Sequence, residues 1–231
     1  MTQGYQGRKA AGPALTEALC RLVERPVPDP GPEGSLPYYT DAEAIARFAG
    51  EPVAIFGYGS LIWRPPVPFA ASRPGLLPGW HRSFCLKTTR WRGTAEAPGL
   101  MMALERGGSC RGMILTLDPA RQEQDLETIW RREIGVKPVN HIARTVHVRT
   151  PEGPVRALTF TANPEGRSYL GGLGFQATAE ILATAVGHWG SCADYLRQTV
   201  EQLEAAGLRD RNLWRLQAEV ARLIAERHAT A

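Results

Sequence analysis

The run Val53-Ala54-Ile55-Phe56 passes straight into Gly57-Tyr58-Gly59-Ser60, and this junction constrains the chain more than any other. A short apolar run with β-branched members, closed by two glycines one residue apart, predicts a buried strand that stops in a turn. Glycine at both places permits positive φ and close approach of a ligand to bare backbone N–H groups. Ser60 adds a hydroxyl donor, and together these are the makings of an anion nest. A strand-ending loop with no ligand is the other reading of the same residues. A dinucleotide fingerprint is excluded, because that motif needs a third glycine opening a helix and here Ile62 stands in its place with Pro65-Pro66 close behind.

A chain of 231 residues, 43% of them hydrophobic, can bury one sizeable core with an appendage. No apolar run approaches the length of a membrane span, and Met1–Lys9 leads into no apolar signal region, so the expectation is a cytoplasmic protein that does not engage membranes. The four cysteines, Cys20, Cys85, Cys110 and Cys192, show no Cys-x-x-Cys spacing, which disfavours zinc and fits reduced thiols. A net charge of +4 comes from arginines spread along the chain, which favours an acidic small molecule over nucleic acid as partner.

Two regions differ in texture. Residues 1–50 read as a helical extension with a Pro-rich linker: leucines at helical spacing over 14–24, a proline-broken stretch over 25–37, and a short helix capped by Asp41. Residues 51–231 read as the catalytic domain. Strands are expected at 53–56, 83–89, 100–104, 110–117, 142–149 and 155–161, broken by turns at Pro78-Gly79, Gly107-Gly108 and Pro151-Glu152-Gly153. One helix is expected from the cap Asp118-Pro119 to Glu133, with Gly135 just past its end. Helices at 176–186, at 191–206 behind a Ser191/Asp194 capping box, and from Asp210 to about 226 close the chain. This order predicts an α+β domain with a mixed sheet, curled into a barrel in one version.

Glu133 stands out on its helix. Leu126, Ile129, Trp130 and Glu133 fall at i, i+3, i+4 and i+7, so a carboxylate lies on the stripe that should face the core. Burial and the negative end of a helix both disfavour its charged form, which suits it to exchanging a proton as a general acid or base. A glutamate turned outward, or paired with Arg131 or Arg132, is the plainer alternative. His81 and Cys85 lie four apart in a turn-to-strand stretch where that spacing does not converge on a metal. No Ser-His-Asp arrangement can be built around Ser60, which lacks a Gly-x-Ser-x-Gly elbow. The stretch Thr89-Arg90-Trp91-Arg92-Gly93-Thr94 sets two guanidinium groups beside an aromatic, able to meet a carboxylate-bearing substrate or to form a solvated rim.

Taken together, Phe56-Gly57-Tyr58-Gly59-Ser60-Leu61-Ile62-Trp63, Arg82-Ser83-Phe84-Cys85, Arg92-Gly93-Thr94, Gly107-Gly108-Ser109-Cys110-Arg111-Gly112, Trp130-Arg131-Arg132-Glu133 and Gly190-Ser191 with Tyr195-Leu196 resemble the ChaC family of glutathione-specific γ-glutamylcyclotransferases. The resemblance covers about 53–223. It implies a small mixed β-barrel ringed by helices, and an enzyme that releases 5-oxoproline and cysteinylglycine from glutathione without metal or cofactor; the sequence leaves the oligomeric state open, with a monomer the favoured expectation. It makes Glu133 the catalytic residue and assigns substrate binding to Tyr58, Gly59, Ser60 and Leu61, with Arg92 beside them. Two departures bear on the pocket. The family continues from its glutamate towards a tyrosine and a further aromatic, where this chain reads Ile134-Gly135-Val136-Lys137-Pro138-Val139-Asn140-His141. Cys192-Ala193 replace a polar pair before Tyr195-Leu196, which bears on recognition of the glycine end. A cyclotransferase for another γ-glutamyl amine and a non-catalytic γ-glutamyl-binding module are the competing expectations.

Overall fold

A computed structural model describes residues 53–134 and 139–229. The helices and linker expected within residues 1–50, and the helix stop expected at Gly135, lie outside the described residues.

Five strands close into a barrel in the order β1-β3-β2-β4-β5. They are β1 (Ala54–Gly57), β2 (Ala71–Thr88), β3 (Gly99–Thr116), β4 (His141–Thr150) and β5 (Gly153–Ala162). Antiparallel ladders join β1 to β3, β3 to β2, β2 to β4 and β4 to β5, and a parallel contact at Ile55↔Leu158 closes the ring. Such closure removes the free edges that an open sheet would expose. β1 is buried along its whole length because both of its faces are covered: Ala54 and Phe56 enter one core cluster, and Val53 and Ile55 enter the other. This explains why its sequence is continuously apolar rather than alternating.

Two expected breaks are bends instead. β2 and β3 each run unbroken for 18 residues. Their pairing shifts register between Pro78↔Ser109 and Trp80↔Arg106, so Gly79 faces Gly107-Gly108 across the ladder. All three glycines hold positive φ, at 78°, 108° and 64°. Glycine there makes a bulge that bends the pair without ending it. The expected strands 100–104 and 110–117 are therefore one strand, and 83–89 is the second half of another. The turn at Pro151-Glu152-Gly153 is a true hairpin end, with Thr150 paired to Gly153.

The helices are α1 (Ser60–Trp63), α2 (Gln122–Ile134), α3 (Phe175–Thr184), α4 (Cys192–Ala205) and α5 (Arg211–Ala229). None of the described helices is long and apolar enough to cross a membrane. α2 starts later than the Asp118-Pro119 signal implies. The Asp118 carboxylate accepts from Ala120 N at 3.0 Å and its carbonyl from Arg121 N at 3.0 Å, which makes a turn that precedes the helix. Leu126, Ile129 and Trp130 of α2 then pack with Leu115, Leu117 and Phe160 on one side of the barrel. α3, α4 and α5 cover the other cluster. Ser191 caps α4 as expected, accepting from Asp194 N at 3.0 Å, and Asp210 caps α5 through Leu213 N at 3.2 Å.

Candidate active site

Strand β1 delivers Tyr58 and Gly59 to the end of the barrel, where the chain turns at once into the single-turn helix α1. The turn is tighter than a glycine nest. Gly59 sits at φ −146°, and neither it nor Gly57 takes a positive φ. A Cβ on Gly59 would lie 2.9 Å from the Met102 methyl, the mobile end of a flexible side chain, and would meet nothing else within 4 Å. Ile62 N already bonds Gly59 O at 2.9 Å, whereas the first-turn N–H groups of Ser60 and Leu61 have no carbonyl four residues back within so short a helix. The strand end read from the sequence is therefore present, but it opens a helical turn in place of a positive-φ glycine nest, and the Ser60 hydroxyl accepts from Arg132.

Tyr58, Gly59, Ser60 and Leu61 line a cavity of about 430 Å³ together with Glu133 and Arg92. Every predicted site residue is thus in one place. Glu133 reaches it from the last turn of α2, its side chain 15% exposed. The neighbouring Arg132 ties helix and loop together. Its guanidinium donates to the Ser60 hydroxyl at 2.7 Å and to the Arg64 carbonyl, and its Nε lies 3.5 Å from Glu133 Oε1. The expected alternative of an arginine partner for Glu133 is thus realised, but inside the pocket, where the same cation fixes the loop.

Two phenols flank the carboxylate. Tyr58 donates its hydroxyl to Phe160 O at 2.9 Å, while its own carbonyl accepts from Arg82 Nε at 2.6 Å. Burial first, and the charge of Glu133 second, push its ionisation well above the usual phenol range. The same two causes push Tyr195 up to about 12 against the pull of Arg92 and Arg132. Both rings therefore stay protonated near neutral pH. His141 stands at the start of β4 beside Glu133. Burial lowers its basicity, outweighing the attraction of Glu133 and a bond to the Glu133 backbone, so the imidazole is held neutral. Arg92 is more committed than its sequence context suggested. It donates to Ser191 O at 2.8 Å, lies 3.9 Å from Asp194 and stands 5.1 Å over the Tyr195 ring, so it braces the start of α4 at the pocket wall.

The rest of the Arg92-Gly93-Thr94 stretch is structural. Thr94 accepts from Ala97 N at 3.0 Å in an exposed turn, and Arg90 is exposed. His81 accompanies Gly107 O at 3.2 Å and Cys85 is buried, and no cluster of metal-ligating side chains occurs among the described residues. The sequence gave no role to Trp189, named Arg132 only as a possible partner of Glu133 and Trp91 only as the aromatic beside two arginines, and held His141 only within a departure. The tryptophans required tertiary structure to meet.

A closed five-stranded barrel ringed by helices is the fold of the γ-glutamylcyclotransferase class. A yeast γ-glutamylcyclotransferase specific to glutathione, known from its crystal structure, superposes with a TM-score of 0.66 over 75% of this chain and 97% of that one, at 18% identity. Residues 53–223 match the family described as ChaC-like protein, and the chain belongs to that family. An Escherichia coli relative, a glutathione-specific γ-glutamylcyclotransferase, is 38% identical over 176 residues, covering 76% of this chain and 75% of that protein. The mouse glutathione-specific γ-glutamylcyclotransferase 1 is 29% identical over 198 residues, covering 83% and 84%.

Proposed function

We propose that this protein is a glutathione-specific γ-glutamylcyclotransferase that converts glutathione to 5-oxoproline and cysteinylglycine. The observation that carries the reading is the convergence of Glu133 and the Tyr58–Leu61 loop on one cavity, joined by Arg132. Family membership and the names of the relatives support it.

The reaction is intramolecular. The α-amino nitrogen of the glutamyl group attacks its own γ-carbonyl carbon, a five-membered ring closes, and the bond to the amide nitrogen breaks. Glu133 accepts a proton from the α-ammonium, which frees the nitrogen lone pair for attack, and returns it to the departing nitrogen. After attack the ring nitrogen still carries two protons, and the same carboxylate passes one of them to the amine, which leaves as an ammonium; both protons shed by the α-ammonium thus end on the leaving nitrogen. The first-turn N–H groups of α1 stabilise negative charge on the γ-carbonyl oxygen as the tetrahedral centre forms, or hold the α-carboxylate. Holding the flexible glutamyl chain in a folded, near-attack shape contributes several kcal/mol, within the roughly 7–11 available to well-oriented intramolecular reactions. Tyr58 and Tyr195 stay neutral and so set the shape and polarity of the wall rather than compete with Glu133 for the proton. The reading includes a cytoplasmic location, which the buried free thiols of Cys85, Cys110 and Cys192 fit.

Incubation with glutathione followed by mass detection of 5-oxoproline and cysteinylglycine tests the activity. Absence of both products from folded protein rejects it.

A further inference from the structure

The cavity that holds Glu133 has an aromatic wall, and that wall is built by a separate element. Strands β6 (Val186–Gly187) and β7 (Gly190–Ser191) form a two-stranded hairpin outside the barrel, with His188 and Trp189 at its tip. The hairpin is seated on Trp91. Trp189 N donates to Trp91 O at 2.8 Å, and a Cβ on Gly187 would lie 2.4 Å from that same carbonyl. The two indoles stand 4.8 Å apart between centroids at 34°, with His188 6.2 Å from Trp91 and 5.9 Å from Trp189. Both tryptophans line the cavity that holds Glu133, yet Trp189 is 55% exposed. The Arg64 guanidinium lies 5.8 Å from its ring centroid.

An element that served only to pack would bury its indole. A large aromatic left more than half in water at the wall of a reactive cavity, stacked on a second and with a cation near its ring, is the pattern of a surface that acquires its partner on binding. Its place restricts that partner. The γ-glutamyl end must lie against Glu133 and the Tyr58–Leu61 loop, so the pair meets groups beyond the scissile bond. Resting on the cyclotransferase reading, we propose that Trp91 and Trp189 form a subsite for an aromatic group carried by the leaving amine. The substrates it admits beside glutathione itself are S-substituted glutathione conjugates, whose thioether sulfur stands two carbons from the leaving nitrogen and carries such a group outward. Arg64 favours these anionic conjugates over neutral γ-glutamyl arylamines, because it offers a cation to their terminal carboxylate.

S-benzylglutathione is the probe, with 5-oxoproline release measured against glutathione for wild type, Trp189→Ala and Trp189→Phe. The expected result is a wild-type kcat/KM for S-benzylglutathione at least equal to that for glutathione. Trp189→Ala should lower the S-benzyl value about tenfold and the glutathione value at least fivefold less, with Trp189→Phe restoring most of the difference. Equal losses on both substrates, or a wild type that turns over glutathione and rejects S-benzylglutathione, overturn the subsite. If neither compound releases 5-oxoproline, the catalytic reading fails and calorimetric binding decides the subsite. Tighter binding of S-benzylglutathione than of glutathione, lost in Trp189→Ala, supports it, and equal binding of the two refutes it.

Discussion

Glu133 and the groups around it have separable duties. Glu133→Gln keeps the shape and hydrogen-bonding capacity of the side chain and removes the proton acceptor, so the variant should fold with native stability and release no detectable 5-oxoproline from glutathione by mass detection. Native turnover in that variant would rule out the proposed proton path. Gly59→Val puts a branched side chain on the loop that lines the cavity and pushes the Met102 methyl aside, so the cavity narrows and glutathione binding should weaken, read by calorimetry in the Glu133→Gln background. His141 reports through pH. Folding lowers its affinity for a proton below the ordinary value of 6.5, so below that pH the unfolded chain takes up a proton that the folded chain refuses. Its contribution to stability is therefore full above about pH 6.5 and declines as pH falls towards the lowered folded-state value. Denaturant midpoints across that range should fall with pH, and His141→Asn should flatten the decline.

At the level of elements, the helix ends organise the pocket. α2 brings Glu133 to the cavity at its C-terminus, and Arg132 binds that end to α1. α4 begins at the opposite wall, where Ser191 caps it through Asp194 N, Arg92 holds the Ser191 carbonyl, and Tyr195 follows one turn later. Loss of the cap in Ser191→Ala should cost about 1 kcal/mol, read as a drop of about 2–4 °C in Tm. Arg92 holds the backbone carbonyl of the same residue, which alanine retains, so KM for glutathione should change little. An unaltered Tm would mean that the cap bond contributes nothing in solution.

Across the whole molecule, Arg82 of β2 connects the barrel to the last helix. Its guanidinium donates to Tyr58 O at 2.6 Å, to Arg111 O at 2.5 Å and to Asp210 at 2.9 Å, and its side chain is 2% exposed. One cation thus joins the loop at the end of β1, the strand β3 and the cap of α5. Arg82→Met leaves two carbonyls and a carboxylate without their donor, so it should destabilise the fold by about 3 kcal/mol in denaturant unfolding, in line with breaking one side of a buried pair. Smaller loss than that of an exposed ion pair would show that water replaces the arginine freely.

The sequence by itself determined most of the local elements and singled out the candidate reactive groups. The apolar run into Gly57-Tyr58-Gly59 set the strand end, the i, i+3, i+4, i+7 stripe put Glu133 on a buried face, and Ser191 and Asp210 marked their helices. These features depend on spacing within a few residues, which a linear chain displays directly. It did not display the length of β2 and β3, because Gly79 and Gly107-Gly108 are the same residues whether they end a strand or bulge it. Only their mutual pairing across the ladder decides that. Barrel closure is equally non-local, since β1 and β5 meet through a single parallel contact about 100 residues apart. The site followed the same division. Its carboxylate and loop were legible, whereas the Arg132 bridge, the neutral His141 and the pairing of Trp91 with Trp189 exist only because the barrel brings distant segments to one cavity.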